Sequence, residues 1–224
     1  MNCGKSFRTI LLACFLLLVV LAVLITLIIV WAECWSMDDY QLNGIENYGQ
    51  YPGVREDIAE KYIYSFLPEN IPERATNVDY HFASNTWDAY GFEVYLEFTL
   101  EDPEVYCSYV AQVTADMVEQ PFAYDTQFTE YIFVNNAGVV CDQFSLTSGQ
   151  KNNEQEANAT YYSINDACIL KILANSNEQR IIFVSLHVAD GGASDTMLLG
   201  KYLNRFQINP IEYEKTHPFR YINK

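Results

Sequence analysis

The sequence FEVYLEFTL, at residues 92–100, decides the fold class of this chain. Apolar side chains occupy every second position, and Glu93, Tyr95 and Glu97 stand between them. Successive side chains of a β-strand point to opposite faces, so this alternation predicts a strand with one face on a core and the other in water. A sheet that is solvated on one face is typical of antiparallel pairing.

Further strands are predicted before and after this stretch, as short runs rich in β-branched and aromatic residues between turn formers. They cover residues 77–84, 127–135, 138–146, 160–164, 168–174 and 180–188. Residues 136–138 are expected to join two of these strands in a hairpin, and residues 175–178 to close a second hairpin. Residues 180–188 are partly apolar on both faces, which favours a central strand covered on both sides.

Three helices are predicted. Residues 55–66 carry apolar side chains at every fourth position, which places them on one helical face. Asp102 and Pro103 are typical of a helix N-cap and first turn, and they predict a helix that continues to about Met117. The third helix is expected over residues 196–206, and the tail from residue 207 onward is expected to be extended.

Together these elements predict an α+β fold. We expect one domain over residues 54–224, with an antiparallel sheet of about five to seven strands and helices packed mainly on one face. Residues 33–53 contain three glycines and a proline and are interpreted as a tether in front of this domain.

The N-terminus predicts a membrane anchor. Residues 9–32 carry no charged side chain and, as a helix of about 1.5 Å rise per residue, would be about 36 Å long, enough to cross a bilayer core of about 30 Å. Lys5 and Arg8 precede this stretch, and acidic residues follow it. Basic residues stay on the cytoplasmic side, so residues 1–8 are expected inside the cell and the domain outside, on a single-pass signal anchor in the cell membrane.

Two alternatives to an uncleaved anchor are cleavage as a signal peptide and attachment of a lipid. The apolar stretch is longer than the apolar region of about 7–15 residues in a signal peptide. A lipoprotein needs a cysteine directly after that stretch, whereas Cys14 lies inside it and Cys34 follows Glu33. An uncleaved anchor is therefore favoured.

Composition excludes several classes of protein. The 224 residues are 50% hydrophobic and 15% aromatic, which excludes a disordered chain. The net charge is −16, and all 29 acidic residues follow residue 32, so binding to nucleic acid is not expected. The acidity is compatible with a cation site or a basic partner. The favoured interpretation is a soluble acidic surface, because the acids are scattered along the chain.

The cysteines give no motif. Six are present, without a CxxC pair or the spacing of a zinc finger, and no cofactor is expected. Cys107, Cys141 and Cys168 lie in apolar surroundings, as buried free cysteines often do. One disulfide among these three is also compatible with an oxidising location, and its connectivity is left open.

The candidates for chemistry are grouped around the last predicted strand. His187 ends that strand, and Ser185, Asp190 and Ser194 have the residue types of a nucleophile and an orienting acid. Asp190 and Asp195 bracket a glycine-rich turn and are candidate ligands for a metal ion such as calcium. No sequence motif assigns catalytic residues, so these remain unknown.

Four other residues are interpreted as structural. Isolated histidines such as His81 and His217 are more often packed than ligating. Glu93 and Glu97 would lie roughly 13 Å apart on one strand face, too far for a pair of glycosidase carboxylates, and are expected in solvent.

These observations favour a membrane-anchored extracytoplasmic interaction domain without catalysis, as a subunit or accessory factor of a cell-surface complex with a protein partner. The alternative is an extracytoplasmic domain that binds or senses a cation, a sugar or a peptide, which would need a pocket lined by tyrosines and acids. A hydrolase built on His187 and Asp190 is the third hypothesis.

Overall fold

We describe the fold from a computed structural model. It describes residues 19–21, 23–26, 40–85, 91–134, 140–150, 160–188 and 200–218, and only the backbone of residues 40, 85, 144, 146–150, 160–166 and 200. The chain divides into two compact units, Met1–Asp38 and Asp39–Lys224.

The first unit contains the segment predicted to be a membrane anchor. Residues 19–21 and 23–26 are helical, with apolar side chains that are about half exposed, and the rest of residues 9–32 lies outside the described part of the chain. No helix among the described residues is long and apolar enough to cross a membrane.

The second unit contains an antiparallel sheet of eight described strands. They are β1 (Tyr40–Asn43), β2 (Ala75–Asn85), β3 (Gly91–Leu100), β4 (Met117–Pro121), β5 (Thr129–Phe133), β6 (Asp142–Gln150), β7 (Thr160–Asn175) and β8 (Arg180–Val188). Their order in the sheet is β1-β2-β3-β8-β7-β5-β4, and β6 also pairs with β7. The predicted antiparallel sheet with helices is confirmed.

The helices lie on both faces of this sheet. They are α1 (Glu56–Ala59), which continues as a π-helical turn at Glu60–Tyr64, α2 (Pro103–Val113), α3 (Gly200–Arg205) and α4 (Pro210–Thr216). α1 and α2 pack against one face, which we call the α1–α2 face, and α3 and α4 pack against the other, the α3–α4 face. The expectation of helices mainly on one face is therefore wrong.

The reason lies in β3 and β8, which are buried on both faces. Tyr95 is fully buried among residues of the α3–α4 face, and Glu93 is 1% exposed there. The expectation that Glu93 lies in solvent is wrong, because α3 covers this face and the Tyr202 amide donates a hydrogen bond to Glu93 Oε1 at 3.0 Å. Glu97 is only partly exposed and pairs with Arg180 and Arg205.

β5 and β6 do not pair with each other along their length, as the expected hairpin would require. Both run antiparallel to β7 and pair with it end to end, β5 with residues 171–174 and β6 with residues 160–169. Within the described residues they pair where they adjoin, through a bridge between Val134 and Val140 and a hydrogen bond from the Cys141 amide to the Phe133 carbonyl at 2.9 Å. The expected turn at residues 136–138 lies outside the described residues. The second hairpin is confirmed: β7 pairs with β8, and Asn175 Oδ1 accepts hydrogen bonds from two amides of the connecting turn.

Two segments at the ends of the domain are more ordered than expected. Residues 33–53 are predicted to be a tether, but in the described part of this segment β1 pairs with β2, and Tyr48 and Tyr51 pack against the α1–α2 core. The tail after residue 207 forms α4, where Asn209 Oδ1 caps the helix by accepting from the Ile211 amide at 2.9 Å. The predicted N-cap at Asp102 is confirmed, since its carboxylate accepts from the Glu104 and Val105 amides.

Candidate functional site

A lysine with no exposed surface lies at the centre of the sheet. Lys171, on β7, is 0% exposed and faces the α3–α4 side. Its Nζ donates to Glu130 Oε1 at 2.6 Å, to Asp142 Oδ2 at 3.0 Å and to the Tyr213 hydroxyl at 2.9 Å. Buried charges are tolerated when they are paired and hydrogen-bonded in this way. We call Lys171, Glu130, Asp142 and Tyr213 the lysine cluster.

The end-to-end placement of β5 and β6 brings the two carboxylates together. In the strand register, Glu130 lies opposite Leu173 and Asp142 lies opposite Ile169. These two β7 positions flank Lys171 at equal distance on the same face of the sheet. β5 and β6 therefore each supply one acid to the same lysine.

α4 covers the lysine cluster. The Tyr213 hydroxyl donates to Asp142 Oδ1, and His217 stacks on the Tyr213 ring with its Nε2 3.3 Å from Asp142 Oδ2. His217 was interpreted as an isolated residue of the tail, but it lies at the rim of this cluster. Gln120 Nε2 donates to the remaining oxygen of Glu130 at 2.7 Å. Each carboxylate oxygen of the cluster thus has a partner.

The charge state of the cluster follows from its geometry. Burial alone lowers the pKa of Lys171, but the charges of Asp142 and Glu130 outweigh burial and raise this pKa above its ordinary value. Burial raises the pKa of Tyr213, so its hydroxyl keeps the proton that it donates. An amine acts as a nucleophile only after it has lost a proton, and the raised pKa of Lys171 disfavours that loss. We therefore interpret the lysine cluster as a set of contacts that hold α4 and β6 against the sheet.

Glu93 is a second buried carboxyl on the same face. Burial raises the pKa of Glu93 to about 8, although its hydrogen bond from the Tyr202 amide acts in the opposite direction. Its Oε2 makes no hydrogen bond to the described residues and lies 3.9 Å from His81 Nε2. Burial lowers the pKa of His81, and His81 Nδ1 lies 2.7 Å from Asn43 Oδ1. Both side chains are thus biased towards their neutral forms.

His187 lies on the opposite face, at the end of β8. It stacks on Tyr62 at 4.2 Å between ring centroids, and its register partner on β7 is Cys168. Ser185 Oγ donates to the Tyr62 carbonyl at 2.8 Å, so this hydroxyl is engaged with the backbone. Asp190 and Asp195, the candidate metal ligands, lie outside the described residues, as does Ser194.

Cys168, one of the three cysteines whose disulfide connectivity was left open, lies opposite His187. Cys168 faces the α1–α2 side, and Cys141 directly precedes β6, with its thiol hydrogen-bonded to that of Cys168. Periodicity along one strand cannot reveal this juxtaposition, because it depends on the register between β6, β7 and β8.

One edge of the sheet is exposed and acidic. β4 is the last strand in the described order and pairs with β5, and its Val118 side chain is 48% exposed. Glu119 on β4 and Asp116 just before it are exposed. No lysine or arginine occurs anywhere in residues 75–150, which include α2 and β4. We call β4 and Asp116 the acidic edge.

Neither a metal site nor a similar protein assigns a function to the residues described above. Among the described residues, no group of three or more His, Cys, Asp or Glu side chains is arranged to hold a metal ion. No family model, no curated protein and no solved structure matches this chain.

Proposed function

We propose that this chain is a membrane-anchored extracytoplasmic interaction domain without catalysis, a subunit or accessory factor of a cell-surface complex. Its partner is a protein that places an extended, basic segment along the acidic edge. The observation that carries this proposal is the exposure of β4 at the end of the sheet.

An exposed edge strand is a template for another strand. In an antiparallel sheet the outer backbone groups of the last strand are free to pair with an added chain, and several domains recognise peptides in this way. β4 has five residues and ends in Pro121, which limits pairing with further copies of itself. The exposed Val118 offers an apolar contact for the side chains of such a segment.

Charge supports a basic partner. The acidic edge and the preceding helix α2 carry Glu104, Asp116 and Glu119 in exposed positions, within the long stretch that lacks lysine and arginine. Opposite charge accelerates encounter and excludes acidic competitors, and both effects weaken as salt screens them.

The anchor is the second part of the proposal. It rests on the uncharged residues 9–32 and on Lys5 and Arg8 before them. This orientation would present the folded unit, Asp39–Lys224, to partners at the outer surface of the cell.

Site-specific photo-crosslinking in living cells tests the partner surface. A photoreactive amino acid at Val118 of the full-length chain should give one adduct of defined mass, and Glu119→Lys should reduce its yield several-fold. The matched control is the same amino acid at Ile45, which is 53% exposed and lies away from β4 in the sequence. Equal yields from both positions, or no effect of Glu119→Lys, would contradict the proposed surface.

The topology is tested separately. The outer layer of the cells is permeabilised while the cell membrane is left intact. Added protease should then digest the folded unit, and a tag fused to Met1 should remain protected. Protection of the folded unit in cells that are proved accessible would overturn the extracytoplasmic placement, whatever the crosslinking shows.

A further inference from the structure

We propose that Cys141 and Cys168 are a redox-active pair that closes to a disulfide and thereby links the start of β6 to β7. This inference is independent of the partner surface and of the membrane topology, because it concerns two thiols inside the folded unit.

The strand register brings the two cysteines together. Asp142 pairs with Ile169 and Gln143 pairs with Cys168, and the Leu170 amide donates to the Cys141 carbonyl at 2.8 Å. Cys141 therefore stands opposite Leu170, and Cys168 is its diagonal neighbour on the same face. Diagonal neighbours on antiparallel strands lie about 7–8 Å apart at Cα, and a disulfide needs about 4.4–6.8 Å. Closing a bond of about 2.0 Å between these hydrogen-bonded thiols therefore requires a small shift of the two strands as well as side-chain rotation.

The two thiols are not equivalent. The hydrogen bond from Cys168 lowers the pKa of Cys141 and the positive charge of Lys61 adds to this, whereas burial and the charge of Asp142 act in the opposite direction. The same hydrogen bond, together with burial, raises the pKa of Cys168. Cys141 is thus the attacking sulfur, since the thiolate is the reactive form of a cysteine.

The chemistry requires an oxidant, for which we name a low-molecular-weight disulfide. The Cys141 thiolate attacks one sulfur of the oxidant, its S–S bond breaks, and a thiolate leaves and takes up a proton. Cys168 then gives up its proton and attacks the Cys141 sulfur of the mixed disulfide, which releases the second small thiol. Two protein thiols are oxidised and one small disulfide is reduced to two thiols.

The link would act on the lysine cluster. Cys141 directly precedes Asp142, and Cys168 directly precedes Ile169, the register partner of Asp142. A disulfide there fixes the strand pair that presents Asp142 to Lys171. It also closes the chain between residues 141 and 168, which removes freedom from the unfolded state and raises stability.

Differential alkylation of the purified full-length protein tests the proposal. The protein is equilibrated with mixtures of reduced and oxidised glutathione and quenched in acid. Free thiols are then blocked in denaturant with N-ethylmaleimide, and oxidised thiols are reduced and labelled with iodoacetamide. Digestion uses a protease that cleaves at acidic residues, because residues 75–150 contain no tryptic site. Cys141 and Cys168 should carry the second label together, and digestion without reduction should yield one peptide pair that joins them.

Cys107 supplies the matched control, since it is an exposed free cysteine on α2. Cys107→Ser should leave the disulfide unchanged, whereas Cys141→Ser should abolish it. Oxidised protein should melt about 4–16 °C above reduced protein. Lys61→Met should shift the pH profile of the oxidation rate to higher pH, and the control Lys215→Met, at an exposed pair with Glu212, should not.

The wild-type labelling alone can overturn the proposal and needs no variant to fold. If both Cys141 and Cys168 carried N-ethylmaleimide at every glutathione ratio, they would be free thiols throughout, and the proposal would be refuted. A disulfide from either of them to Cys107 would also refute it.

Discussion

Replacing Lys171 with methionine should destabilise this domain more than any change at a surface charge. Methionine is close to lysine in length and fits the same space, but it carries no ammonium group. Glu130 and Asp142, which are 3% and 5% exposed, would then face each other without the cation between them. The Tyr213 hydroxyl would also lose the hydrogen bond that it accepts from Lys171 Nζ.

The magnitude follows from the burial of the cluster. Removing one partner of a buried ion pair costs about 3–5 kcal/mol, because the remaining charge cannot be solvated. For a domain of this size, 1 kcal/mol corresponds to about 2–4 °C in melting temperature, so Lys171→Met should lower it by about 6–20 °C. The triple variant with Glu130→Gln and Asp142→Asn should recover most of this loss, since it removes the uncompensated charges as well.

The assay is thermal unfolding of the full-length protein in detergent, followed by circular dichroism. The control is Lys201→Met, since Lys201 forms a 2.6 Å ion pair with Asp79 whose two side chains are 32% and 48% exposed. An exposed pair of this kind contributes at most about 1 kcal/mol. If Lys171→Met lowered the melting temperature no more than Lys201→Met, the argument that the cluster is a buried, charge-balanced unit would be refuted.

Two further predictions concern Glu93 and the cap of α4. The folded state holds a proton on Glu93 between its ordinary pKa of 4.5 and about 8, so this group favours folding below 4.5 and loses that contribution as the pH rises through 8. Glu93→Gln should therefore flatten the decline of the urea midpoint over this range, and the exposed Glu104→Gln should leave it unchanged. Asn209→Ala removes the acceptor for the Ile211 amide and should lower stability by about 1 kcal/mol in the same urea titration, whereas Asn204→Ala, at an exposed position of α3, should not.

Capping residues in the sequence predict where a helix starts, provided that they are recognised. Asp102 followed by Pro103 correctly predicts the start of α2. Asn209 and Pro210 likewise serve as the N-cap and as a residue of the first turn where α4 begins, although the tail was expected to be extended. The second signal was therefore present in the sequence. The extended tail was expected because it contains Pro210 and Pro218, whereas burial of Tyr213 is what makes this short helix stable.

Periodicity is less informative about which faces are covered. Residues 92–100 form a strand as predicted, and their apolar positions face the α1–α2 core. The intervening positions were assigned to water because Glu93 and Glu97 are charged. Tyr95 between them is fully buried, and a chain segment more than 100 residues later, α3, supplies the cover. Such cover cannot be derived from the strand itself, since it depends on where a distant helix returns.

The lysine cluster was hard to predict for both of these reasons: its local signal was not used, and its partners are distant in the sequence. Lys171 interrupts the apolar run from Ile169 to Leu173, and an isolated lysine there indicates a buried cation that needs acidic partners. Its partners, however, are 41 and 29 residues away, on two strands that were expected to pair with each other. Because β5 and β6 instead pair in succession with β7, both acids reach one lysine. A hairpin would have paired β6 with β5 and moved Asp142 away from β7, so the charge requirement of Lys171 itself argues for the observed topology.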